Sequence, residues 1–438
     1  MTTYWCEKAL LPDGIHDGVL VEISGGRFTS VVPDSVFAAG MERLAGLVIP
    51  GLANCHSHAF HRALRGRTQT ERGTFWTWRE QMYGVAERLT PDSYYELARA
   101  VYGEMALGGI TCVGEFHYLH HGLGGVPYDN PNAMGEALIE AARAAGIRIA
   151  LLDTCYVAGG IDQPLNAVQQ RFSDGSASAW ATRVSALKGA DDVVIGAAAH
   201  SIRGVPRDQL STVAHLLPEA PLHIHLSEQV AENEACAAAY GRTPTQLLDE
   251  TGFLTGRTSA VHATHLTKVD VGLLGGSGTY ACFCPTTERD LADGIGPSVA
   301  LREAGSALTL GSDSHAVIDL FEEMRAVELN ERLATQERGH WSAPELLAAA
   351  TVDGHRSLGF PDAGRIEPGA RADLVAVRLD SVRTAGTGAT LETAVFAATA
   401  TDVTTVISSG TPIVTTSHHT TLNIPTALTT TIDSLTTP

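Results

Sequence analysis

Positive charge is scarce in this chain. The 30 Lys and Arg face 49 Asp and Glu, a net charge of −19, which excludes nucleic acid and anionic membrane surfaces as main partners. An anionic ligand would have to be held by a few local cations. Those cations are arginines, because Lys8, Lys188 and Lys268 are the only lysines. Cysteine is also sparse: seven residues, scattered, with Cys282-x-Cys284 the one close pair. That excludes a disulfide framework or a cysteine-rich zinc module and fits free buried thiols in a reducing compartment. No apolar run approaches the roughly 18 residues of a spanning helix. The N-terminus lacks a basic start followed by an apolar core and a cleavage site. The expectation is a cytoplasmic protein.

Hydrophobic residues are plentiful, 44% of 438, enough for one large barrel plus a smaller domain. Residues 1–47 read as short strands, Thr3–Leu10, His16–Ser24 and Arg27–Val32, with Gly25-Gly26 as a hairpin turn. From about residue 48 to 355, strand-like apolar runs alternate with amphipathic helices. The predicted strands are Leu52–His58, Ile110–His117, Ile147–Cys155, Val193–His200, Pro221–Leu226, Thr258–Thr264, Gly278–Cys284 and Ala307–Gly311. The helices between them include Pro91–Leu107, Pro164–Leu187 and Glu228–Tyr240. Eight buried strands separated by helices predict an α/β protein, a parallel (β/α)8 TIM barrel, with an open doubly wound sheet as the alternative. Residues 356–438 return to short strands, Ala372–Leu379, Val395–Thr399, Val403–Ser408 and Ile413–Thr416, and a Thr-rich end that reads as a loose tail or a weakly docked strand. Isolated hairpins are unstable, so both chain ends are expected to meet in one small β-sandwich.

Active sites of such barrels lie at the carboxyl ends of the strands. Here those ends carry His56-Ser57-His58, Glu115-Phe116-His117-Tyr118, His200-Ser201-Ile202-Arg203, His223-Ile224-His225-Leu226-Ser227-Glu228, His262-Ala263-Thr264-His265 and Gly311-Ser312-Asp313-Ser314-His315. Polar groups at so many ends are hard to ascribe to core packing, since burying them unpaired is costly. His56 and His58 are two apart, so in a strand they project to one side. With His225 and Asp313 they offer three imidazoles and one carboxylate, a zinc set that leaves a position open for water, whose pKa the ion lowers toward about 7. His225 is preferred over His223 because it lies nearer the strand end. No lysine stands at a predicted strand end, so a carboxylated lysine bridging two metals is excluded and one ion per subunit follows. The ligand types accept Zn²⁺ or Fe²⁺. Glu228 is placed to move protons, or else is a first-turn glutamate favoured by a helix dipole. His262 is placed to polarise a substrate, or else is a structural histidine bonded to backbone.

Pro50-Gly51 with His56-Ser57-His58, His225, His262, Gly311-Ser312-Asp313, and the later Gly364-Arg365-Ile366-Glu367-Pro368-Gly369 and Ala372-Asp373-Leu374-Val375 resemble the amidohydrolase superfamily. The resemblance implies a distorted barrel with a composite sandwich and, in deaminase-type members, one metal. Within it, Phe75-Trp76-Thr77-Trp78-Arg79-Glu80, Glu115-Phe116-His117-Tyr118 and His200-Ser201-Ile202-Arg203 are similar to the formimidoylglutamate deiminases of histidine degradation. That likeness implies a small dicarboxylate substrate with a formimino group, hydrolysed to N-formyl-L-glutamate and ammonia, and a homodimer. It implies that Arg79 and Arg203 hold the two carboxylates and that Tyr118 and His200 contact substrate. Guanidinium suits such pairing. His61 stands where a glutamine is expected, which leaves its role open, and Pro285–Asp290 looks divergent, so Glu288 is given none. The implied catalytic group is Glu228, His262 and Asp313. The rival from the same superfamily is a deaminase of a purine, pterin or cytosine-like ring, which needs no pair of arginines.

Overall fold

The structure is a computed structural model that describes residues 1–69 and 75–436. Eight parallel strands follow one another in sequence order around a barrel: Leu52–Ser57, Ile110–His117, Arg148–Cys155, Val193–Ala199, Leu222–Leu226, Thr258–His262, Tyr280–Phe283 and Leu308–Leu310. All but the fourth are buried at every residue, as expected of strands covered on both faces. The first and last strands meet through a parallel bridge between Ser57 and Asp313. There Asp313 N donates to His56 O (3.0 Å) and His58 N donates to Asp313 O (3.2 Å).

The two chain ends combine as expected, in one eight-stranded mixed sheet. Thr2–Leu11 pairs in parallel with Glu42–Pro50, which pairs antiparallel with Leu374–Val377. Asp373 ties this sheet to the barrel. Its buried carboxylate accepts from Arg148 Nη1 of the third barrel strand (3.0 Å) and from Ser409 N (2.8 Å). A buried ion pair with further donors is tolerated because its lone pairs are used.

Several elements differ from the sequence reading. The expected helix Pro164–Leu187 is a 3₁₀ turn, Gln169–Phe172, and a separate helix, Ala177–Val184. Gly175 adopts a left-handed φ of 83°, and the Ser176 hydroxyl then caps the new helix by accepting from Ala179 N. The expected helix Glu228–Tyr240 begins at Val230. Val395–Thr399 is not a strand. Thr393–Ala397 forms a π-type turn, held by Thr393 Oγ1 donating to Gly388 O (3.0 Å) and by Ala398 N donating to Thr393 O (2.9 Å). Short helices at Lys268–Ser277, Pro285–Asp290 and Ala343–Ala350 add to those expected.

The Thr-rich end is neither tail nor strand but the helix Ile424–Thr436. It buries Ile424, Leu428, Thr431, Ile432 and Leu435, one face at helical spacing, on the helix Pro91–Leu107. Thr429, Thr431 and Thr436 hydroxyls bond back one turn to carbonyls, which keeps β-branched polar residues compatible with a helix. Close approach is possible because residue 103 is glycine: a Cβ there would lie 2.2 Å from Ile424 Cδ1. Gly103→Leu should therefore undock this helix. Chymotrypsin should clip the variant's C-terminus at least about tenfold faster than wild type if docking is what protects it; equal rates would show that the helix is held elsewhere.

Candidate active site

The carboxyl ends of the strands converge on one cavity. The first strand delivers His56 and His58, the fifth His225, and the turn after the eighth Asp313. One ligand atom from each lies within 4.8 Å of the others. His56 Nε2 and His58 Nε2 stand 3.0 and 3.4 Å from His225 Nε2, and 3.4 and 3.3 Å from Asp313 Oδ1. His58 Nδ1 is 3.0 Å from Phe116 O and His225 Nδ1 is 2.9 Å from His200 O. Carbonyls only accept, so both Nδ1 atoms carry the proton and both Nε2 atoms present lone pairs.

Burial, then the neighbouring imidazoles, hold His225 well below the usual histidine range, and they push His58 down to about 3. Burial works against the Asp313 charge, but the His56 contact and the surrounding imidazoles outweigh it and keep that carboxyl below its ordinary range. Lone pairs and one carboxylate crowded on one buried point repel unless a cation lies between them. Ligands about 2.05 Å from a tetrahedral ion stand about 3.3 Å apart, so the spacing fits one divalent metal. His223 is buried away from this group, with neither ring nitrogen bonded to a side chain. Gly311 allows the packing beneath, since a Cβ there would lie 2.7 Å from His56 Cβ.

Two more groups face the ligands. Glu228 lies outside the following helix, whose cap is Gln229, so a first-turn dipole does not account for it. It reaches into the cavity, with Oε1 3.9 Å from His262 Nε2 and Oε2 3.5 Å from Arg203 Nη2. His262 ends the sixth strand in the left-handed region, φ 69°, followed by Ala263 at 48°. Ser227, Asp313 and His315 share that strained conformation, a clustering typical of functional sites. Burial disfavours a charged His262, but Glu288, Glu228 and Asp313 together raise its pKa well above the usual range.

Glu288 has a place that sequence reasoning withheld. It sits on the helix Pro285–Asp290, accepts from Cys284 N (2.8 Å) and faces His262 Nδ1 at 3.4 Å. Its signal was visible only as a carboxylate just past the seventh strand, in a stretch set aside as divergent. Arg79, Tyr118, His200, Arg203 and His61 all line the same cavity. Arg79 comes from the helix Phe75–Arg88 and lies 5.6 Å over the Tyr83 ring. The side chains of Phe75, Trp76 and Thr77 fall outside the described residues. Arg203 Nε donates to buried Glu232 (3.0 Å). His61 Nε2 is 3.0 Å from Tyr118 Oη, and His200 Nδ1 is 3.1 Å from Ser201 Oγ. A second group, His117, His120 and Asp153, is also close-set. Asp153 is already filled there by Trp180 Nε1 (2.9 Å) and by Arg183 (2.8 and 2.9 Å), and a metal would sit against a guanidinium.

With this geometry in view, the comparisons with known proteins are direct. The model of the amidohydrolase family matches residues 47–413. The chain belongs to the amidohydrolase family. It is 37% identical to a formimidoylglutamate deiminase of Pseudomonas aeruginosa over 86% of each chain. It is 28% identical to a 5-methylthioadenosine/S-adenosylhomocysteine deaminase of Pelotomaculum thermopropionicum, over 91% of this chain and 89% of that one. Among solved structures, an amidohydrolase from Brucella melitensis superposes with a TM-score of 0.92 at 32% identity, covering 99% of this chain and 100% of its own. The fold and the His/His/His/Asp cluster are those of a metal-dependent hydrolytic deaminase.

One consequence concerns Asp293, which accepts from Gln229 Nε2 while its Oδ2 is buried without a partner. Burial, then the Glu228 charge, push this carboxyl up to about 8. The folded state thus holds a proton that the unfolded chain releases near pH 4, so stability falls as pH rises toward 8. Asp293→Asn keeps the Gln229 bond and cannot ionise. In metal-free protein it should melt several degrees above wild type at pH 9 and level with it at pH 5; a gain independent of pH would contradict the assignment.

Proposed function

We propose that this protein hydrolyses the formimino group of N-formimino-L-glutamate to N-formyl-L-glutamate and ammonia, a step of histidine degradation. The observation that carries this reading is the presence of two guanidinium groups, Arg79 and Arg203, in the same cavity as the ligand cluster. Paired arginines suit a dicarboxylate, and the 37% identical relative is named for that activity. A ring-deaminase reading draws support from the 28% identical relative, but an adenine ring is neutral and S-adenosylhomocysteine carries a single carboxylate, which does not call for two guanidinium groups.

A divalent metal held by His56, His58, His225 and Asp313 supplies a Lewis acid that makes water acidic near neutral pH. Arg79 and Arg203 fix the two carboxylates, with Tyr118, His200 and His61 shaping the pocket around the chain between them. Glu228 accepts a proton from the attacking water and delivers it to the imino nitrogen. Asp313 shares the water proton during attack. His262, charged and held by Glu288, donates to the heteroatom on which negative charge develops. The proton left on the added hydroxyl then passes by way of Asp313 and Glu228 to the same nitrogen, and collapse of the tetrahedral adduct breaks the C–N bond, releasing ammonia and leaving the formyl carbonyl. Water adds one oxygen and ammonia leaves, so the reaction needs no other reagent.

Zinc- or iron-loaded protein should release ammonia from N-formimino-L-glutamate; turnover of methylthioadenosine or another purine and none of this substrate would reverse the choice. Arg203→Ala should raise KM by roughly 10–100-fold, the loss of a charged hydrogen-bond pair, with metal content unchanged. Loss of metal in that variant would mean that Arg203 supports the ligands instead. Glu288→Gln should lower kcat by roughly 10–100-fold with little change in KM, because Glu288 acts through His262; a change confined to KM would place it in substrate binding.

A further inference from the structure

Between the ligands His56 and His58 lies Ser57, fully buried. Its hydroxyl donates to Glu115 Oε2 at 2.6 Å, and Ala59 N donates to Glu115 Oε1 at 2.7 Å. One fully buried carboxyl on the second strand thus holds both residues that flank His58. The contacts continue. Ser57 Oγ is 3.1 Å from His315 Nε2, and His315 Nδ1 is 3.0 Å from Ser312 Oγ. Asn54 Nδ2 donates to Ser312 Oγ at 2.7 Å, while Ser312 N donates to Asn54 Oδ1 at 2.9 Å.

The proton directions follow from the donors available. The Ser57 hydroxyl spends its one proton on Glu115, so it accepts from His315 Nε2–H. That leaves His315 Nδ1 to accept from the Ser312 hydroxyl, which in turn accepts from Asn54. The members interleave with the ligands: Asn54 and Ser57 bracket His56, Ser57 and Ala59 bracket His58, and Ser312 and His315 bracket Asp313. The seam they span is otherwise thin. The eighth strand has three residues, Leu308–Leu310, and beyond it the first and last strands share one bridge. Asp313 and His315 sit there with left-handed φ of 41° and 58°, which side chains without tertiary support tend to leave.

We propose that the buried chain Glu115–Ser57–His315–Ser312–Asn54 is a positioning device for the metal centre, with Glu115 as its anchor, locking the two ligand-bearing segments where the barrel closes. It rests on the reading of His56, His58, His225 and Asp313 as a metal site. None of the five lines the cavity; they act through the ligands. Groups that orient metal ligands typically set affinity by 10–100-fold.

The test is zinc release. Zinc-loaded wild type, Glu115→Gln and Ser312→Ala are mixed with excess chromogenic chelator at pH 8, and transfer of zinc is timed. Glu115→Gln sets an amide N–H against one of its two donors and should release zinc roughly 10–100-fold faster. Ser312→Ala breaks the chain at its far end and should release it several-fold faster; this variant decides the matter alone if Glu115→Gln does not fold. Melting of the metal-free proteins separates the roles, since a purely structural role would lower those midpoints and leave release from folded holoprotein unchanged. Release within about twofold of wild type in both variants would overturn the proposal. A wild type that binds neither zinc nor ferrous iron would overturn the metal centre itself, and this proposal with it; one that binds only iron is tested by the same release of iron.

Discussion

Two backbone hydrogen bonds carry more of this structure than their number suggests. Asp313 N to His56 O and His58 N to Asp313 O close the barrel, and the three residues they join are three of the four candidate ligands. Closure of the fold and assembly of the site are therefore one event. A shift of one residue at this seam would turn side chains to the opposite face and would scatter the ligands. At this seam Asp313 and His315 take left-handed conformations, which the closing contacts must hold in place.

The electrostatics divide the cavity in two. On the ligand side burial keeps His58 and His225 neutral, and it is overcome at Asp313 by the imidazoles around it. His262 is the exception, since carboxylates on two sides favour its charge. Arg79 and Arg203 line the same cavity. In a chain of net charge −19, they bring positive charge into a cavity that also holds Glu228 and Asp313, and Glu228 and Glu232 lie against Arg203.

Much of this was legible in the sequence because barrel chemistry follows strand ends. The alternation that puts His56 and His58 on one side is a period-two argument, and the choice of His225 over His223 follows from its place nearer the strand end; neither needs tertiary knowledge. The pair at Asp313 and His56 was not legible, since nothing local states that the eighth strand returns to the first. Glu115 was seen at a strand end without a role, because its partners, Ser57 and Ala59, lie on another strand. Glu288 has no role in the sequence reading because its stretch, Pro285–Asp290, looks divergent, and its contact with His262 appears only in the folded chain. Elsewhere, tertiary packing overrode propensity. The Thr-rich end became a helix because a glycine groove on Pro91–Leu107 accepts Ile424. The run at 395–399 lost its strand character to hydroxyl bonds from Thr393.

The central claim is that three imidazoles and one carboxylate at the barrel seam grip a single metal ion. Anomalous diffraction from a crystal of protein grown with its metal tests it most directly. The account expects one ion per chain, bound by Nε2 of His56, His58 and His225 and by Asp313, at about 2.0–2.2 Å. Metal absent from these four residues, or bound instead at His117, His120 and Asp153, would contradict it.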